Sequence, residues 1–116
     1  MKTTTAPRSA LLSAVIALLL GAASPAFAAL NEEAAVALAK KNDCTKCHSV
    51  DKKKEGPAYK ETAAKYKGKA DAVDKLYTHL TTNPKVKVDG KEEEHQGVKT
   101  KDEADIKNLI AYILSR

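Results

Sequence analysis

From Leu11 to Ala23 the chain carries no charge, within its longest uncharged stretch, and beyond it the pattern changes to short segments of helical spacing divided by polar turns. Asn31 can cap a helix whose first turn carries Glu32 and Glu33, where negative charge suits the helix dipole, and Ala34, Ala35, Ala37, Leu38 and Ala39 continue it to about Lys41 or Asn42. Gly56-Pro57 reads as a turn that also opens a helix at its first position, predicted over residues 58 to 66. Gly68 punctuates, and Ala72, Val73, Leu76, Tyr77 and Leu80 keep helical spacing over residues 70 to 81, which Asn83-Pro84 ends. From there to Lys99 the chain is polar, with a tight hairpin expected around Asp89-Gly90 that sets Lys87 near Glu92 and Lys85 near Glu94. Thr100 and Glu103 have capping-box spacing, and Ala104, Ile106, Leu109, Ile110 and Ile113 give a terminal helix with one apolar face. No βαβ pattern, repeat, glycine-rich phosphate loop or internal linker interrupts this, so one all-α domain of about four short helices is predicted over residues 29–116.

The uncharged N-terminal stretch is preceded by Lys2 and Arg8 and followed by Ala26-Phe27-Ala28. A basic start, a short apolar middle and a small-x-small site specify a signal peptide, 1–28, with cleavage after Ala28 and a periplasmic destination. A retained anchor is the alternative, although a spanning helix needs about 20 apolar residues. Cleavage would remove the only methionine, and with Lys2 and Arg8 gone the formal charge falls from +5 to +3. Export leaves no membrane span in the remaining domain and separates it from nucleic acid, for which its four tyrosines, Tyr59, Tyr66, Tyr77 and Tyr112, offer no special case. A domain this small gains much from a fixed apolar cofactor, a disulfide or a metal.

Cys44 and Cys47 decide among these. A disulfide would be ordinary in an oxidising compartment. Yet Cys44-Thr45-Lys46-Cys47-His48 is C-x-x-C-H, the attachment signature for one covalent haem c. Two thiols three residues apart can bond the two vinyl-derived carbons on one porphyrin edge, and the next residue then lies under the ring, which makes His48 the proximal iron ligand. A thiol–disulfide exchange centre competes for the same residues but normally comes in a βαβ context. Structural zinc would need four ligands, and only two further histidines are present.

On the strength of these residues, the chain from the first helix onward resembles a small bacterial class I cytochrome c. The similarity lies in the Ala-rich helix running into Cys44-Thr45-Lys46-Cys47-His48-Ser49-Val50, in Gly56-Pro57-Ala58-Tyr59, and in the ending Leu109-Ile110-Ala111-Tyr112-Ile113-Leu114. The resemblance implies that the first and last helices cross to close a haem pocket, and that Pro57 supplies a backbone carbonyl to the free ring nitrogen of His48. It also implies an electron carrier, not an enzyme.

In one respect the chain departs from that family. Its usual sixth ligand is a methionine before the last helix, and residues 29–116 contain none. Aligned on Lys101-Asp102-Glu103-Ala104-Asp105, the resemblance puts His95 at or near that position, as the expected distal ligand. His79, Asn83, a loop lysine such as Lys99, or an open site are the alternatives. His79 sits off the stripe of Leu76 and Leu80 and reads as a boundary residue; Tyr59 and Tyr66 read as helix-face residues and Tyr112 as core beside the haem. A His48/His95 pair implies a lower potential than His/Met carriers.

Lys40, Lys41, Lys46, Lys52, Lys53 and Lys54 bracket the motif and could steer an acidic redox partner, although Asp43, Asp51 and Glu55 interleave with them and a plain solvated surface is equally in keeping. The expected function is periplasmic electron transfer by a monomer. The rival is a haem protein that binds or senses a small ligand such as nitric oxide at a labile or open distal site.

Overall fold

The computed structural model describes residues 29–116; the expected signal peptide, 1–28, and its cleavage site lie outside the described residues. The chain runs α1 (Glu32–Lys41), α2 (Cys44–Cys47), α3 (Tyr59–Tyr66), α4 (Ala72–Thr81), β1 (Lys85–Val88), β2 (Lys91–Glu94) and α5 (Glu103–Leu114). The helices follow their sequence signals closely. The Asn31 side chain accepts the Ala34 N–H and starts α1 with Glu32 and Glu33 in its first turn. Glu61 reaches back to the Ala58 N–H at 2.9 Å and starts α3 directly after Pro57. The last helix is capped differently from expectation. Asp102, not Thr100, accepts from Ala104 and Asp105, because the Thr100 hydroxyl is occupied by the Asp102 N–H.

Helix α5 is the centre of the packing, with α1, α3 and α4 all laid against it. Its Ile106, Leu109 and Ile110 are at most 1% exposed, and they meet Ala35 and Ala39 of α1, whose small side chains let the two helices approach closely. Asn31 and Asn108 bind reciprocally, the Asn31 N–H to Oδ1 at 2.9 Å and the Asn108 side-chain amide to the Asn31 carbonyl at 2.8 Å. Arg116 closes the same junction with a two-pronged contact to Glu32.

The hairpin forms in the predicted register, Lys85 opposite Glu94 and Lys87 opposite Glu92. Asp89 and Gly90 have φ of 49° and 80°, the left-handed pair that a two-residue hairpin turn requires. Val86 and Val88 share one face of β1 and are half-buried. The small antiparallel sheet thus supplements a mostly helical fold, beneath which a cavity of about 610 Å³ opens between α2, α3, α4, α5 and the hairpin.

Candidate functional site

Asp43 follows α1 in the left-handed region, φ 58°, and turns the chain into the single helical turn α2. One turn brings Cys44 and Cys47 to the same wall of the cavity. They form no disulfide with each other. Burial pushes the Cys44 thiol up, and Cys47 is held up first by its hydrogen bond to Glu55, 3.1 Å from Sγ to Oε2. Exchange centres need the opposite, a thiol pKa brought down, so the environment argues against that reading of the motif.

The chain then becomes extended at His48, and the segment after it folds back, with the Gly56 N–H on the Cys47 carbonyl at 2.8 Å and the Tyr59 N–H on the Ser49 carbonyl at 2.9 Å. This places the Pro57 carbonyl 2.7 Å from His48 Nδ1. A carbonyl only accepts, so Nδ1 carries the proton and the Nε2 lone pair is left for a metal. Gly56 passes so near the imidazole that a Cβ there would run into the ring. On the other side of His48, Tyr59 stacks at 5.7 Å with a 21° tilt, and Tyr112 meets Tyr59 edge-on at 6.1 Å. Tyr59 is therefore core and cavity lining, not the helix-face residue of the sequence reading, and its burial pushes the phenol up to about 12. Tyr112 is core as expected, one layer behind.

His95 stands across the cavity on the segment leaving β2. Four backbone donors staple that segment: His95 N–H to Pro84 O, Gly97 N–H to Asn83 Oδ1, Val98 N–H to Leu80 O and Lys99 N–H to Asn42 Oδ1, all between 2.8 and 2.9 Å. Gly97 lies against the Leu80 carbonyl, where no Cβ fits. The His95 and His48 rings are 6.1 Å apart at their centres and inclined by 58°. His79, on α4, sits 4.3 Å from the His95 ring and also lines the cavity. Burial lowers both, His95 to about 4, so each presents a neutral imidazole at neutral pH.

These residues fit a haem. Imidazoles that ligate one metal from opposite faces through nitrogens about 2 Å away have ring centres roughly 6 Å apart. The paired thiols line the same cavity, Leu80, Leu109 and Ile113 give it apolar walls, and its volume lies in the range of cofactor sites. Neither Lys99 nor Asn83 lines the cavity, and the Asn83 side-chain oxygen accepts the Gly97 N–H instead.

The cytochrome c sequence profile matches residues 32–116. The chain belongs to the cytochrome c family. Its fold is the cytochrome c fold, and membership brings one covalently attached haem c. Among solved structures, the class 1 cytochrome MtoD of Sideroxydans lithotrophicus ES-1 is 53% identical, with a TM-score of 0.71 over 75% of this chain and 97% of that one. Cytochrome c-551 of Allochromatium vinosum is 59% identical over 39 residues, and cytochrome c-552 of Nitrosomonas europaea is 49% identical over 55 residues. Those two matches take in 34% and 47% of this chain; the chain spans 42% and 53% of these relatives' length, about half.

Of the cytochrome c site, sequence reasoning reached the thiols, both candidate ligands and Pro57. It missed Tyr59 as a cavity residue and had His79 only as a boundary residue and alternative ligand. For His79 the signal was present: it neighbours the buried Leu80 in chain and follows Leu76 by three residues, which puts it at the edge of the buried face.

Proposed function

We propose that this cytochrome c is a single-electron carrier, exported to the periplasm after removal of residues 1–28, in which Cys44 and Cys47 anchor the haem while His48 and His95 hold its iron. The opposition of the His48 and His95 rings across the cavity, 6.1 Å apart, carries this reading. The absence of methionine beyond Met1 supports it, since the family's usual sixth ligand is then missing and the resemblance puts His95 at or near its position.

When bound, the haem supplies an iron that gains and loses one electron. The protein's residues set how readily it does so. His48, with Nδ1–H held by Pro57, is an oriented and more basic donor than a free imidazole. A second imidazole in place of a thioether favours the ferric state and lowers the potential. With both His48 and His95 holding the iron, no position would be left for oxygen or peroxide, which would suit transfer and disfavour catalysis. Leu80, Leu109 and Ile113 exclude water from the same space.

Transfer to a partner needs an accessible edge, and the half-buried Cys47 marks one. Exposed lysines 46 and 52–54 stand to one side, but Lys46 is paired with Asp43, and Glu55 and Glu93 lie close enough to act on the Cys47 thiol. We therefore place an electrostatically mixed docking face there, with an acidic patch on the partner opposite Lys52–Lys54. No helix among the described residues is long and apolar enough to cross a membrane.

Near-infrared magnetic circular dichroism of the oxidised protein tests the ligand pair. A bis-imidazole charge-transfer band that disappears in His95→Ala is expected. A high-spin spectrum in the parent protein, or a band indifferent to the substitution, would overturn the His95 assignment.

A further inference from the structure

The two candidate ligands are held in unequal ways. His48 is fixed twice, by the Pro57 carbonyl on Nδ1 and by the Tyr59 ring stacked on it. A ligating imidazole almost always has its second nitrogen fixed by such a partner. His95 has none: its Nδ1 is buried without a hydrogen bond, and its backbone belongs to an irregular segment and not to a helix. The staples at Pro84, Asn83, Leu80 and Asn42 fix where its main chain runs, but they leave rotation about the side-chain bonds open.

One group limits that rotation. The His79 ring lies 4.3 Å from the His95 ring with a 54° tilt. Two imidazoles joined end-on by a hydrogen bond of about 2.9 Å would have centres roughly 5 Å apart, so this contact is packing of ring on ring. Unlike His95, His79 is mounted on rigid structure. It stands in the last turn of α4, and buried Leu76 and Leu80 anchor that helix against α5. A ring on a packed helix is a better-defined wall than anything on a loop.

We propose that His79 is a positioning residue, whose ring fixes the plane of His95 in a crossed arrangement relative to His48. The proposal rests on His95 being the distal ligand. Its content is the 58° inclination between the two rings. In low-spin ferric iron, parallel imidazole planes separate the two π-symmetry d orbitals and give a rhombic electron paramagnetic resonance spectrum. Crossed planes leave those orbitals nearly equal in energy and give a strongly anisotropic signal dominated by one low-field feature. With His95 bound, the ring that sets its plane therefore sets the signal, whatever the stability of the fold.

The test is electron paramagnetic resonance of the oxidised, haem-loaded protein and of four variants. The parent should show the anisotropic low-field signal. His79→Ala should stay low-spin but shift toward, and spread into, the rhombic pattern as the His95 ring gains freedom. His79→Gln, which has no flat ring, should shift likewise, whereas His79→Phe, which keeps one, should retain the parent signal. The contrast between the Gln and Phe variants decides the question even where His79→Ala loads poorly. An unaltered signal in His79→Ala and His79→Gln, with His95→Ala turning high-spin, would overturn the positioning role and leave the ligand reading standing. A high-spin His79→Ala, or a His95→Ala spectrum like the parent's, would overturn both, the former making His79 itself the ligand.

Discussion

At the level of single residues, the proximal side tolerates little change. Gly56 has no side chain because the His48 ring occupies the space a methyl would need. Gly56→Ala should force the ring away from Pro57 and weaken the bond that makes His48 basic. We expect less haem-loaded protein and, in what loads, a higher midpoint potential, read by redox titration. Tyr59 gives a pH prediction. Its phenol is pushed from 10.0 to about 12 by burial, so the folded state keeps a proton that the unfolded chain releases first. The contribution is complete below pH 10 and is lost as pH rises toward 12, on the order of 2 kcal/mol at most. Denaturant midpoints of the parent should fall over that interval, and those of Tyr59→Phe should fall less.

Between residues and the whole lie the caps, turns and loops, and here the sequence was legible where signals are local. Asn31 with Glu32 and Glu33 announced α1, and lysines opposite glutamates about Asp89-Gly90 announced the hairpin and its register, because both depend on neighbours a few positions away. The start of α5 was misread by two residues because Thr100 and Asp102 both suit a cap, and only the backbone path decides which oxygen meets the free N–H groups. Tyr59 was read only as a helix-face residue, and His79 only as a boundary residue and alternative ligand, for a longer-range reason. Each acquires its role from a ring elsewhere in the chain, His95 and His48 respectively. Asn42 is the residue that joins such distant parts: 5% exposed, it bonds the Leu38 carbonyl and the Lys99 N–H, tying the end of α1 to the segment that carries His95. Asn42→Ala removes both bonds, leaving the part-buried Lys99 N–H without its partner, and should cost about 1 kcal/mol, seen as a lower urea midpoint with an unchanged slope.

Across the whole molecule, α5 collects the other helices; the family resemblance implied its meeting with α1, whereas its packing against α3 and α4 was not read from the sequence. The charge pattern was harder to read, since the lysines that bracket Cys44 and Cys47 in sequence share the rim with acids brought in by the hairpin. With opposite signs side by side, the rate of electron exchange with a partner should fall with ionic strength less steeply than for a uniformly basic rim, and Glu93→Gln should steepen the fall. This is measurable by stopped flow against salt concentration.

The hairpin has a consequence for how the cofactor enters. Its rungs bind it to itself and the bonds at its base bind it to α4, while Val86 and Val88 face the space the haem fills. Its opening free energy is thus governed by the guest and not by the helices. In hydrogen exchange the β1 and β2 amides of the loaded protein should be protected well beyond what an isolated two-stranded ribbon sustains, and in the chain before attachment they should exchange almost freely. The last piece of the pocket to form would then be the doorway through which its occupant arrived.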